Sequence, residues 1–123
     1  MSIKILLIDD EPDHILVVKA RLEAIGHEVI GAQEGKEGLN LAKTKNPDLI
    51  ILDITMPDLN GFQICRLMKA DPNLKNIPIL IFTALGSKNL AEKCLEAGAD
   101  DLIQKPWEAE DLEKKINALL NRG

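Results

Sequence analysis

The sequence predicts an α/β domain built on a parallel sheet, and three observations carry that prediction. Short apolar runs alternate five times with longer segments of helical period. The runs are continuously apolar rather than alternating, as expected for strands covered by helices on both faces, where neither face meets water. No linker, low-complexity stretch or composition break divides residues 1–123, so one domain is expected, able to bury roughly two thirds of its unfolded surface.

The first strand is read in "IKILLI" (Ile3 to Ile8). After it, Ile15, Val18, Leu22 and Ile25 recur at three- and four-residue steps, which puts them on one helical face. Pro12 suits the first turn of that helix, where an amide hydrogen is not needed, and Gly26 accepts the left-handed conformation that ends it. "HEVIGA" (His27 to Ala32) is the second strand. Gly35 to Lys45 is a helix with Leu39 and Ala42 inward, stopped by Asn46-Pro47. "DLIILD" (Asp48 to Asp53) follows, then a helix capped by Asn60 and running to Ala70. "PILIFT" (Pro78 to Thr83), a helix from Lys88 to Ala97 ended by Gly98, and "DLIQK" (Asp101 to Lys105) come next. The last helix, Glu108 to Asn121, carries Leu112, Ile116, Leu119 and Leu120 on one face. Cys65 and Cys94 are read as small, reduced core residues, and the sequence-isolated His14 and His27 as surface residues.

Composition excludes several classes. With net charge −5 and scattered lysines, the chain has no basic stripe to neutralise nucleic-acid phosphates. Its longest apolar run is too short to span a bilayer, and "MSIKILLIDDE" puts acids where a signal peptide needs a cleavage site, so a cytoplasmic protein is expected.

Polar residues mark the strand ends. Asp9 and Asp10 follow the first strand, while Asp53, Thr83 and Lys105 end the third, fourth and fifth. Parallel sheets bind ligands beyond the carboxyl ends of their strands, where the winding reverses. If strands one and three flank that crevice, the order 2-1-3-4-5, doubly wound, brings all four polar sites together. Two like charges ~4 Å apart repel by about 4 kcal/mol at an effective dielectric of about 20, so three converging carboxylates call for a proton or a cation. Ligands read as oxygen alone favour Mg²⁺ or Mn²⁺ over zinc. A lysine and a threonine hydroxyl aimed at the same place suit a phosphoryl group, and Asp53, alone at the end of the central strand, is the better nucleophile.

"LLIDDE", "LIILDITMPDLNG", "ILIFTA" and "AGADDLIQKPW" resemble, in order, the motif blocks of response regulator receiver domains of two-component signalling. The resemblance spans nearly the whole chain and implies a flavodoxin-like fold. It implies Asp53 as phosphoacceptor, Asp9, Asp10 and Asp53 as Mg²⁺ ligands with the Thr55 backbone carbonyl, and Thr83 and Lys105 as contacts to phosphoryl oxygens. Asp10 is expected to be the more direct ligand, Asp9 acting partly through water. A cis Lys105-Pro106 bond is implied too. The implied partners are a histidine kinase or histidine phosphotransfer protein and a downstream protein target, with the domain a monomer or a phosphorylation-dependent dimer.

The chain departs from the family's pattern at Leu102, where an aromatic residue is usual; the chain has no tyrosine at all. Thr55 and Leu85 occupy the two positions where faster family members carry polar groups, and because Leu85 cannot hydrogen-bond the attacking water, slow self-hydrolysis is implied. Two other readings compete: a phosphate-independent pseudo-receiver, which usually lacks one of the acids or the lysine retained here, and a dehalogenase-type phosphatase, whose D-x-D motif is broken by Thr55.

Overall fold

The computed structural model describes residues 3–54, 61–84, 86 and 88–120. Its five strands are β1 (Lys4–Ile8), β2 (Glu28–Ala32), β3 (Leu49–Asp53), β4 (Ile79–Thr83) and β5 (Asp101–Gln104). Between and after them lie α1 (Pro12–Ala24), α2 (Gly35–Lys45), α3 (Gly61–Ala70), α4 (Lys88–Glu96) and α5 (Ala109–Leu120). All strand pairs are parallel, in the order β2-β1-β3-β4-β5, so β1 and β3 are neighbours and β2 is an edge, as the polar strand ends predict. The Asn60 cap expected for α3 falls outside the described residues.

The continuous apolar runs divide by the two-residue period of a strand. Ile5, Leu7, Leu49, Ile51, Leu80 and Phe82 face α1 and α5, where they meet Val18, Leu22, Leu112, Ile116 and Leu119. Leu6, Ile8, Ile50, Leu52, Ile79 and Ile81 form the other core with Ala42 of α2, Cys65 and Met68 of α3, and Ala91 and Cys94 of α4. Both cysteines are buried and unbridged, as expected. The neighbouring Cys94 thiol and burial push the Cys65 thiol up.

Helix ends obey the local chemistry. α1 closes with the Gly26 amide donating to Glu23 O and the His27 amide to Leu22 O, a pair of bonds that requires the positive φ of +98° found at Gly26. Ile25, expected on the apolar stripe, is instead the C-cap residue and is 44% exposed, because the chain reverses at Gly26 before Ile25 can reach the sheet. α2 ends at Asn46, whose φ of 48° uses the tolerance of asparagine for left-handed backbone. His27 is also corrected: it is half-buried and its Nδ1 accepts the Ile3 amide at 3.3 Å.

One cation outside the strand ends ties α3 to the sheet. Lys69 Nζ donates to the Ile77 carbonyl at 3.0 Å, the Lys75 carbonyl at 3.2 Å and Asp100 Oδ2 at 3.1 Å. The same Asp100 oxygen accepts the Ile79 amide at the start of β4, 2.8 Å away. Lys69→Met keeps the stem and deletes the donor, leaving partly buried acceptors behind. A loss of about 1–3 kcal/mol is expected, read as a lower urea midpoint at unchanged slope.

Candidate functional site

The carboxyl edge of the sheet gathers the polar strand ends. Asp53, the last residue of β3, and Asp9, just past β1, are each only 1% exposed. Asp9 is fixed from three sides. Its amide donates to Ala32 O, its Oδ1 accepts the Glu11 amide at 2.9 Å, and its Oδ2 accepts Nδ1 of His14. Across the crevice, Lys105 follows β5 and places Nζ 2.6 Å from Asp53 Oδ2. The Lys105 amide donates to Thr83 O at 2.7 Å, which anchors the lysine to the end of β4, and the Lys105–Pro106 bond is cis. Thr83 is buried, its hydroxyl donating to Ala84 O.

The structure overturns the surface reading of His14. α1 begins at Pro12, so His14 sits in a first turn that overhangs the end of β1. Its Nδ1 bonds Asp9 and lies 3.6 Å from Asp53 Oδ2, with the side chain 19% exposed. The ring is backed by Phe82, centroids 5.8 Å apart. A nitrogen donor therefore stands beside the two carboxylates, which the reading of oxygen ligands alone did not include. One signal was available in the sequence: a helix that opens three residues after a strand-end aspartate must lay its first turn over that aspartate.

The local charges balance. The hydrogen bond from His14 to Asp9 raises the His14 pKa above its ordinary value, with burial opposing and the charge of Asp53 assisting. Burial pushes the Asp9 carboxyl up, but the bonds from His14 and the Glu11 amide, with the charges of His14 and Lys105, overcome it and leave the pKa lowered. The repulsion between carboxylates is thus met by an imidazole and an ammonium.

The donor set fits a divalent cation. One ligand atom from each of Asp9, His14 and Asp53 lies within 4.8 Å of the others. Asp10 is half-buried next to this group and is not one of its three members. Thr55, expected to supply a carbonyl, and Leu85, expected to slow hydrolysis, both lie outside the described residues. Leu102, at the usual aromatic position, packs half-buried against the α2–α4 core. Phe82 and Trp107 meet on the opposite face, where Trp107 lies 5.8 Å from Phe82 and under the Arg21 guanidinium.

A five-stranded parallel sheet with acids, a hydroxyl and a lysine at its carboxyl edge defines a class, and comparison with known proteins identifies it. Residues 5–117 match the response regulator receiver domain family, and the chain belongs to that family. It is 38% identical over 119 residues to the DNA-binding dual master transcriptional regulator RpaA of Synechocystis, covering 97% of this chain and 49% of RpaA. It is 38% identical to protein PilH of Pseudomonas aeruginosa, covering 95% of this chain and 97% of PilH. The receiver domain of the sensor histidine kinase PA1611 of the same organism, solved with a magnesium ion coordinated in its active site cleft, superposes with a TM-score of 0.88. It is 28% identical, with 98% of each chain covered. The chain spans about half the length of the first curated relatives it matches, 46% to 48%. No helix among the described residues is long and apolar enough to cross a membrane.

Proposed function

We propose that this chain is a phosphoacceptor signalling domain that takes a phosphoryl group onto Asp53 from a histidine kinase or histidine phosphotransfer protein. The observation that carries the reading is Asp53 itself, a carboxylate buried at the end of the central strand with an ammonium 2.6 Å away and a second carboxylate opposite. In the reaction an Asp53 oxygen forms a bond to phosphorus while the bond from phosphorus to the donor imidazole breaks, and the departing nitrogen takes up a proton. Lys105 keeps its charge on the transferring oxygens, and the Thr83 hydroxyl offers them a hydrogen bond. Asp9 and Asp53, with Asp10 beside them, would hold Mg²⁺ or Mn²⁺, which when bound neutralises phosphoryl charge. The magnesium in the cleft of the PA1611 receiver supports that part.

The product changes the chain's partner-binding surface toward a downstream protein target. The chain acts as a single domain, works in the cytoplasm, alters its own covalent state rather than turning over a separate substrate, and is a monomer or a phosphorylation-dependent dimer. Trp107, in ring contact with Phe82 beside the site, gives the test. Beryllofluoride with Mg²⁺ should shift its fluorescence in the native protein and not in Asp53→Asn. Equal responses in both proteins, or none in either, would leave a phosphate-independent interaction module.

A further inference from the structure

We propose that His14 is a nitrogen ligand of the cation held between Asp9 and Asp53, making this a mixed nitrogen–oxygen centre selective for Mn²⁺ and later divalent transition metals over Mg²⁺. The inference rests on the cation-site reading above and deepens it.

The imidazole does not merely lie near the acids. Its Nδ1 is hydrogen-bonded to Asp9 Oδ2 and is 3.6 Å from Asp53 Oδ2, so the nitrogen occupies the gap between the two carboxylates. An octahedral ion with bonds of ~2.1 Å separates adjacent ligands by ~3 Å, and one ligand atom from each of the three residues lies within 4.8 Å of the others. The ring is pre-positioned. The first turn of α1 carries it and Phe82 stands behind it at 5.8 Å; on binding, the Nδ1 proton leaves and its lone pair turns to the ion in place of Asp9 Oδ2.

The chemistry then decides the metal. Mg²⁺ is hard, prefers oxygen and gives up its waters reluctantly, so a nitrogen in its shell adds little. Imidazole suits the transition divalents, whose affinities rise from Mn²⁺ toward Cu²⁺. Lys105 sits 2.6 Å from Asp53, so His14 is not required as the counter-ion of that carboxylate.

Electron spin-echo modulation of the Mn²⁺-loaded native protein reads the bond directly. A ¹⁴N coupling from a directly bound imidazole is expected, absent in His14→Asn and His14→Leu. In titrations that follow Trp107 quenching, both variants should lose roughly tenfold or more in Mn²⁺ affinity, while Mg²⁺ affinity changes by less than about threefold. Bound Mn²⁺ without nitrogen coupling in the native protein overturns the inference. So does a gain in affinity for both ions when the imidazole is removed, which would make His14 a competing internal cation. Those outcomes leave the acidic site intact. No saturable Mn²⁺ binding, or binding unaffected by Asp53→Asn and Asp9→Asn, would instead bring down the cation-site reading along with the ligand.

Discussion

Asp53→Asn should reduce phosphoryl incorporation from acetyl phosphate and Mg²⁺ to background while leaving the fold intact. The amide is the same size as the carboxylate but lacks the charged oxygen that attacks phosphorus, so the covalent step has no nucleophile. The neighbours survive the change. Lys105 Nζ can still donate to the amide oxygen, and with its side chain 27% exposed it can turn to water. The cost to stability should therefore stay near about 1 kcal/mol, a shift of a few degrees in the melting midpoint. Intact-protein mass spectrometry reads the first expectation, and thermal unfolding monitored by circular dichroism the second. Undiminished phosphoryl incorporation in a folded Asp53→Asn protein would move the acceptor elsewhere. Chelating the divalent ion should stop labelling of the native protein as well, because the incoming phosphoryl oxygens would then lack the cation that neutralises their charge.

The fold was legible in the sequence wherever a local pattern had a single physical reading. Unbroken apolar runs require a sheet covered on both sides, and the residue types at their ends arranged the strands: the run ending in Gly31-Ala32 carries no chemistry and lies at the edge. Gly26 marked a helix end because glycine accepts positive φ, and Asn46-Pro47 another because the residue before a proline is biased away from helix. What stayed illegible depended on how elements meet. Helical periodicity assigns Ile25 to a stripe, yet the stripe ends where the chain turns from the sheet. His14 looked isolated because its partners are a strand-end aspartate five residues back and another on β3. Periodicity identifies a helical face; it does not say what lies above the first turn. Likewise the departure at Leu102 is visible in one dimension, but the gathering of Phe82 and Trp107 on the α1–α5 face needs the register of β4.

Phe82→Ala is expected to be the most damaging single change to stability, costing about 3–5 kcal/mol. The ring is fully buried in the α1–α5 core, on a strand paired on both sides, so neighbours cannot close over the void without moving the sheet. For a domain of 123 residues that loss corresponds to a fall of roughly 10–20 °C in the melting midpoint. Phe82→Leu, which keeps much of the volume, should cost less than about 1.5 kcal/mol and so separates the packing contribution from the ring's own contacts. Those contacts have two directions. On one side the ring backs His14, on the other it meets Trp107 at 5.8 Å. The leucine variant should therefore stay folded yet show Trp107 emission altered relative to the native protein, since the tilted ring contact is gone while the cavity is filled. If Phe82→Ala melts within a few degrees of the native protein, the α1–α5 face is more loosely packed than the fully buried ring implies. His14 would then owe its position to the Asp9 bond alone.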